Sequence, residues 1–329
     1  MAALSVSVRA NKPLAAVMRA MQTIEAPKPR TANGVFLAID LTLDVASELL
    51  SEKNKGVSVA VIYHPTIFRG LKSLTLSNSQ QQSLLRCAAE GISIYCPHTS
   101  LDATPGGIND WLALNALSAS STQAPPSGRS TEQVLTSTHL QHQWAQIPDV
   151  FSKALFQGLP KNLVKPLQPS DNVASEKATS EGWTGAGMGR KLTLSALNAE
   201  PSLGDFVSGF KREMGVQHAQ LAYGRGASLD SKIKTVAVCA GSGSSVLKGA
   251  DVDLWITGEL SHHELLATTE SGPTSVLLLR HSASERGFLR DILARRIDAI
   301  LSMPGEEDSE SGPWSVVVSE QDRDPLVFV

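Results

Sequence analysis

The chain has 329 residues, 42% of them hydrophobic and 5% aromatic, enough apolar material for a sizeable core and for two domains. A formal net charge of −3 and a pI near 6.2 supply no overall basic field of the kind that holds nucleic acid or an anionic membrane. Its three cysteines, Cys87, Cys96 and Cys239, include no C-x-x-C pair, which argues against a disulfide framework or a thiolate zinc knuckle and fits a reducing, intracellular compartment. The longest apolar stretches, such as 57–63 and 276–279, fall far short of the roughly 20 residues a membrane helix needs.

Residues 1–30 carry Arg9, Lys12, Arg19, Lys28 and Arg30 against one acid, Glu25, a balance that a mitochondrial transit peptide shares. Leu14, Val17, Met18 and Met21 recur at helical spacing in the same stretch, which favours an amphipathic helix over 14–24. Segments 34–40 and 57–63 are β-rich. Between them, 41–52 has helical spacing at Leu43, Ala46, Leu49 and Leu50, completing a β-α-β unit. A helix over 78–90 leads into a strand at 91–95, and Gly106-Gly107 opens a helix through Trp111 and Leu114. The character changes over 118–180, where polar runs at 118–128 and 168–180 flank a centre, 131–159, containing His139 and His142. This reads as a Ser-rich insertion with room for a short helix, and its histidine pair as a solvated surface feature. Alternation resumes with strands at 234–239, 252–257, 275–279 and 314–318, and with helices from Ser261 and over 284–300. The pattern predicts an α/β protein with mostly parallel sheets: an N-terminal part (1–117), the insertion (118–180) and a C-terminal part (181–329).

Four clusters follow predicted strands: His64, then His98 with Asp102, then Glu259 with His262 and His263, then His281 with Glu285. Singly, each has an ordinary explanation. Ser284 can cap a helix that Glu285 complements, His64 precedes a proline, and Asp102 suits a loop. Together they point to a metal site, because the crevice at the carboxyl ends of strands gathers ligands, and zinc, manganese and iron accept mixed nitrogen and oxygen donors. Within the third cluster, ligand, supporting residue and general base are not separable by spacing. Gly241-Ser-Gly-Ser-Ser245 follows a strand, yet Val246 occupies the third glycine place of G-x-G-x-x-G, so a tight turn ranks ahead of a phosphate cradle. Arg190 and Arg286 are candidate anion partners.

The motifs Tyr63-His-Pro-Thr-Ile-Phe68, Pro97-His-Thr-Ser-Leu-Asp102 with Gly107-Ile-Asn-Asp-Trp111, Gly182-Trp-Thr-Gly-Ala-Gly-Met-Gly-Arg190, Cys239-Ala-Gly-Ser-Gly-Ser-Ser245, Thr257-Gly-Glu-Leu-Ser-His-His263 and His281-Ser-Ala-Ser-Glu-Arg-Gly287 occur in that order. They resemble the Nif-three-like family, also labelled GTP cyclohydrolase I type 2, in its eukaryotic form, over 34–117 and 181–329. The resemblance implies a two-lobed fold with a dinuclear metal centre between the lobes, and a homo-oligomer that is often a ring. It places His64, Asp102, His281 and Glu285 at ligand positions, Glu285 as a bridge, with His98, Glu259 and His263 close by.

The chain departs from the family pattern at three points. Tyr63 stands where many relatives have the first of two adjacent histidines, and a phenol with a pKa near 10 is a poorer ligand; His98 is the residue to refill that place, and the expectation is one or two divalent ions. Arg280 replaces a usual glycine. The Trp-Asp-Asn stretch expected before the first strand is missing from 21–35. The functional expectation is a metal-dependent, hydrolase-like protein with Glu259 or His263 as acid or base, and no residue here is specific for a purine. A scaffold that meets transcriptional regulators through its Ser-rich middle is the alternative, and a nucleotide module at 241–245 is the third reading. Neither a membrane nor direct nucleic-acid contact is expected; the location expected is cytoplasmic, with a mitochondrial or nuclear pool.

Overall fold

Val35, Phe36, Leu37 and Ala38 put no polar side chain on either face of β1 (Gly34–Ala38), which suits a strand covered on both sides. The computed structural model describes residues 30–120, 163–170, 185–194, 200–302 and 313–327. It sets β1 inside an all-parallel sheet with β2 (Val59–Ile62), β3 (Ser93–Tyr95) and the last strand, β10 (Ser315–Val318), in the order β10-β1-β2-β3. Helices α1 (Leu43–Leu49) and α2 (Ser79–Ala89) begin at the side-chain caps Thr42 and Asn78, which accept from Val45 N and Gln81 N. After β3 come the short α3 (Thr99–Ala103), which holds Asp102 in a helix rather than a loop, and α4 (Ile108–Ser120).

The second sheet has six strands: β4 (Val164–Pro169), β5 (Gly187–Thr193), β6 (Gln220–Ala222), β7 (Thr235–Ser242), β8 (Leu254–Glu259) and β9 (Ser275–Leu278). Their order is β4-β5-β7-β8-β9-β6. Strands β7, β8 and β9 run parallel, while β4, β5 and β6 pair antiparallel with their neighbours. Helix α5 (Leu203–Met214) buries Leu203, Phe206 and Phe210, starts at the Ser202 cap and ends at Gly215 with φ 65°. Further along lie α6 (Ser244–Leu247), α7 (His262–Ser271), α8 (Arg286–Phe288), a π-helical turn over Leu289–Leu293, and α9 (Ala294–Leu301). Among the described residues no helix is long and apolar enough to cross a membrane.

The main core joins Ile39 and Tyr63, at the ends of β1 and β2, to α4 and to Val236, Ile256 and Leu277 of the second sheet. A smaller core with Phe36, Val45, Leu49 and Ile62 lies under α1 and α2.

The expected boundaries shift in three places. Residues 118–120 complete α4 and Val164–Pro169 forms a strand, so the start of the expected insertion and a stretch within it belong to folded elements. Pro166 and Pro169 hide that strand from a reading of pattern, and they suit its edge position because proline cannot donate to a ladder. The final strand joins the first sheet, so 181–329 is not confined to one lobe. The predicted N-terminal helix over 14–24, the centre of the insertion with His139 and His142, and Gly182-Trp-Thr lie outside the described residues.

Arg190 is not an anion site. It is fully buried, pairs with Asp110 of α4, and donates to the Gly187 and Gly189 carbonyls at 2.6 and 2.8 Å. Arg286 is likewise committed, to Asp322 at 3.3 Å.

Candidate metal centre

Both sheets direct the carboxyl ends of their parallel strands to one place. His64 follows β2 and donates its backbone N–H to Ile39 O at 3.0 Å; His98 N–H donates to Tyr63 O at 3.1 Å. From the second sheet, Leu279 N–H donates to Thr257 O at 3.0 Å and leads into Arg280, whose φ of 76° turns the chain sharply. That left-handed conformation explains why glycine suits this position; here the Arg280 side chain holds the Leu326 carbonyl instead. A 3-10 turn over Ser282–Ser284 then brings Glu285 back to His281. Ser284 caps no helix. Its hydroxyl donates to His281 O at 2.6 Å and accepts from Gly241 N–H at 2.8 Å, tying this turn to the end of β7.

His64, His281 and Glu285 present ligand atoms that all lie within 4.8 Å of one another. The two Nε2 atoms are 3.3 Å apart, and each is 3.5 Å from a Glu285 oxygen. Each Nδ1 faces another carboxylate: Asp40 at 2.8 Å from His64, and Glu259 at 2.9 Å from His281. A carboxylate accepts only, so each Nδ1 carries the proton and each Nε2 turns a lone pair inward, the orientation that supporting carboxylates give to metal-binding histidines. Glu285 is 2% exposed, and its Oε2 has no hydrogen-bond partner. Two lone pairs and a buried carboxylate facing one another are a donor set that can take a cation between them. Gly241, at φ 60°, leaves that space open, since a Cβ there would stand 2.6 Å from Glu285 Oε1 and 3.2 Å from His281 Nε2. The residues present therefore fit a divalent ion. Without one, a proton takes its part: burial works to lower the pKa of His64, but the Asp40 hydrogen bond and Glu285 outweigh it and hold it at about 10.

The other predicted site residues fall into two groups. Asp102 and His98 line the same cavity of about 440 Å³, together with Tyr63, Phe68 and Cys239, yet neither joins the three-residue group. The Tyr63 hydroxyl donates to Asp102 Oδ1 at 2.5 Å. Burial raises Asp102 to about 6 against the pull of that hydrogen bond, and burial with the Asp102 charge pushes the Tyr63 phenol far above its ordinary range, so it keeps its proton. Burial, then Asp102, pushes the Cys239 thiol to about 12, so no thiolate is on offer. The His98 ring lies 5.7 Å from that of His64, at a backbone φ of 39°. Glu259 reaches the centre only through His281. His263 is exposed on the first turn of α7, beside His262, and is not brought into the cluster. Reading the sequence alone missed Asp40, whose only signal is its place two residues after β1. The Gly241 and Gly243 N–H groups donate to Ser284 and Thr257 hydroxyls, so neither is offered to a phosphate.

The family described as Duf34/NIF3 (NGG1p interacting factor 3) matches residues 25–307, spanning the Ser-rich middle as well. "Protein NIF3 homolog" of Schizosaccharomyces pombe is 38% identical over 304 residues, 92% of this chain and 87% of that protein. "NIF3-like protein 1" of Homo sapiens is 33% identical, covering 93% of this chain and 85% of its own length. "NGG1-interacting factor 3" of Saccharomyces cerevisiae is 35% identical, over 89% and 80%. In fold, the chain is similar to a crystal structure of a Bacillus cereus protein related to NIF3, with a TM-score of 0.58, 19% identity, and coverage of 91% of this chain and 90% of the other. On the family match and on relatives of this identity and extent, the chain belongs to the Duf34/NIF3 family.

Proposed function

We propose that this chain binds a divalent metal ion, zinc, manganese or iron, and works as a metal-dependent hydrolase. The observation that carries the reading is the convergence of His64 Nε2, His281 Nε2 and the buried Glu285 carboxylate, whose Oε2 has no hydrogen-bond partner, with Asp40 and Glu259 fixing both imidazoles from behind. A bound ion would supply Lewis acidity and lower the pKa of a water molecule. Around it the residues divide the work. Asp40 and Glu259 orient the histidines, Phe68 lines the cavity, and Asp102, lining it too, is the carboxyl that would take and return a proton. Glu259 and His263 stand further back, one committed to His281 and the other on the surface.

The test is elemental mass spectrometry on purified wild type, His281→Ala and Glu285→Ala, followed by a screen of hydrolysable substrates with and without chelator. Wild type is expected to carry metal and both variants to lose it, with any hydrolysis following the metal. A wild type without metal after reconstitution with all three ions would overturn the reading.

A second reading rests on the name of the Saccharomyces cerevisiae relative, which is that of a protein's interacting factor. Under it, the metal stabilises a scaffold that meets a transcriptional regulator, as a homo-oligomer. Loss of partner binding in the metal-free chain, with no hydrolysis under any condition, would favour this reading over the first.

A further inference from the structure

The cavity has two sides. On one, His64, His281 and Glu285 form the ligand group; on the other lie Tyr63, His98 and Asp102. Resting on the metal-binding reading above, we propose that the centre holds one ion per chain, on His64, His281 and Glu285, and that the Tyr63–Asp102 hydrogen bond fills the place a second ion would take.

The placement of the donors carries this inference. Tyr63 gives its single hydroxyl proton to Asp102 Oδ1, so that carboxylate oxygen is occupied. Cys239 aims its Sγ–H at the Ala240 carbonyl, 3.6 Å away. The far side then retains one Asp102 oxygen, the His98 imidazole and a share of Glu285, donors that are not gathered within 4.8 Å of one another as a single ion would need. Among the described residues, only the His64 group brings three such atoms together.

Tyr63 cannot step aside. Its side chain is 2% exposed and belongs to the main core with Trp111 and Leu112, so releasing Asp102 would open that core. The Asp102 backbone is equally held, its carbonyl accepting from Asn109 Nδ2 at 3.0 Å. With one ion, reactions that need a paired-metal clamp on attacking and leaving oxygens are closed to this chain. Those that need one ion beside a proton-carrying carboxyl and phenol remain open.

A histidine at position 63 would remove the hydroxyl that reaches Asp102 and add a nitrogen donor. His98, Asp102 and Glu285 would then make a four-donor second position. The experiment measures metal per chain by elemental mass spectrometry after loading with excess zinc or manganese and removing free ion. The proteins are wild type, Asp102→Ala, Tyr63→His and the double variant Tyr63→His/Asp102→Ala. The result expected is about one ion in wild type and in Asp102→Ala, about two in Tyr63→His, and a return to one in the double variant. Two ions in wild type, loss of the ion in Asp102→Ala, or a single ion in a folded Tyr63→His would each overturn the inference while leaving metal binding intact. No ion in wild type would remove the metal-binding reading and this inference with it. Should Tyr63→His fail to fold, the wild-type and Asp102→Ala values decide the question.

Discussion

His64 stands between two carboxylates, and this sets a pH dependence with a definite sign. Its folded pKa is about 10, because Asp40 and Glu285 outweigh the lowering effect of burial, whereas an unfolded histidine titrates near 6.5. Between those values the folded chain binds more protons than the unfolded one, so stability falls as pH rises. The stabilisation is complete below about 6.5 and is lost through about 10, at no more than about 1.4 kcal/mol per pH unit. Chelator-stripped wild type is therefore expected to melt at a lower temperature at pH 9 than at pH 7. Asp40→Asn, which weakens the main hydrogen-bond partner, should flatten that fall, and zinc, which displaces the proton, should remove it. Thermal scans by circular dichroism at the two pH values check this; a stripped wild type whose midpoint holds or rises at pH 9 contradicts the account. His64 and Glu285 were legible in the sequence because histidine and glutamate at successive strand ends are hard to explain by capping alone. Asp40 was not, since an aspartate just past a strand is the ordinary loop residue, and only its 2.8 Å contact across 24 residues gives it a role.

The segment after β10 works as a strap across both halves of the centre. Asp322 Oδ2 accepts from Ile39 N–H at 2.8 Å, next to Asp40, and pairs with Arg286, next to Glu285. Two residues on, Asp324 accepts from Ser282 Oγ at 3.0 Å, between His281 and Glu285. The Asp322 side chain is 2% exposed while its partner Arg286 is 26% exposed, so removing the carboxylate leaves a partly solvated charge and unpaired donors and costs roughly 1–3 kcal/mol. Asp322→Ala is expected to cost that much and to weaken metal binding by roughly tenfold, as loss of support behind ligands does. The control is Asp44→Ala, which breaks the exposed pair with Arg323 in the same segment and should cost under about 1 kcal/mol. Urea titrations and chelator competition on both variants measure the two effects; equal costs would mean the strap positions nothing. The strand itself was legible from its run of valines. Its partner was not: a parallel strand leaves no hairpin signal, and β1 and β10 meet across some 280 residues of chain.

Alternating strands and helices made the two sheets foreseeable, but not how they share a core. Ile39 and Tyr63 from the first sheet pack into one cluster with Ile256 and Leu277 from the second. Asn109 in α4 holds the Asp102 carbonyl and accepts from Ala240 N–H at 2.9 Å, and Asp110 pairs with Arg190 inside that core. The Asn109–Ala240 and Asp110–Arg190 contacts join residues 131 and 80 positions apart, beyond any periodicity a sequence displays. Separate lobes on a linker would unfold in turn, each with its own midpoint; sheets with a common core, crossed by the chain's last strand, lose both sets of contacts at once. Hydrogen exchange read by mass spectrometry across a urea series is therefore expected to give one midpoint for peptides covering 34–38 and 254–259. Zinc should raise both midpoints together, because its ligands come from both sheets. A first sheet that opens before the second, or one that alone responds to zinc, would show two independent lobes. The metal cluster would then have to assemble across a mobile interface rather than inside a fixed frame.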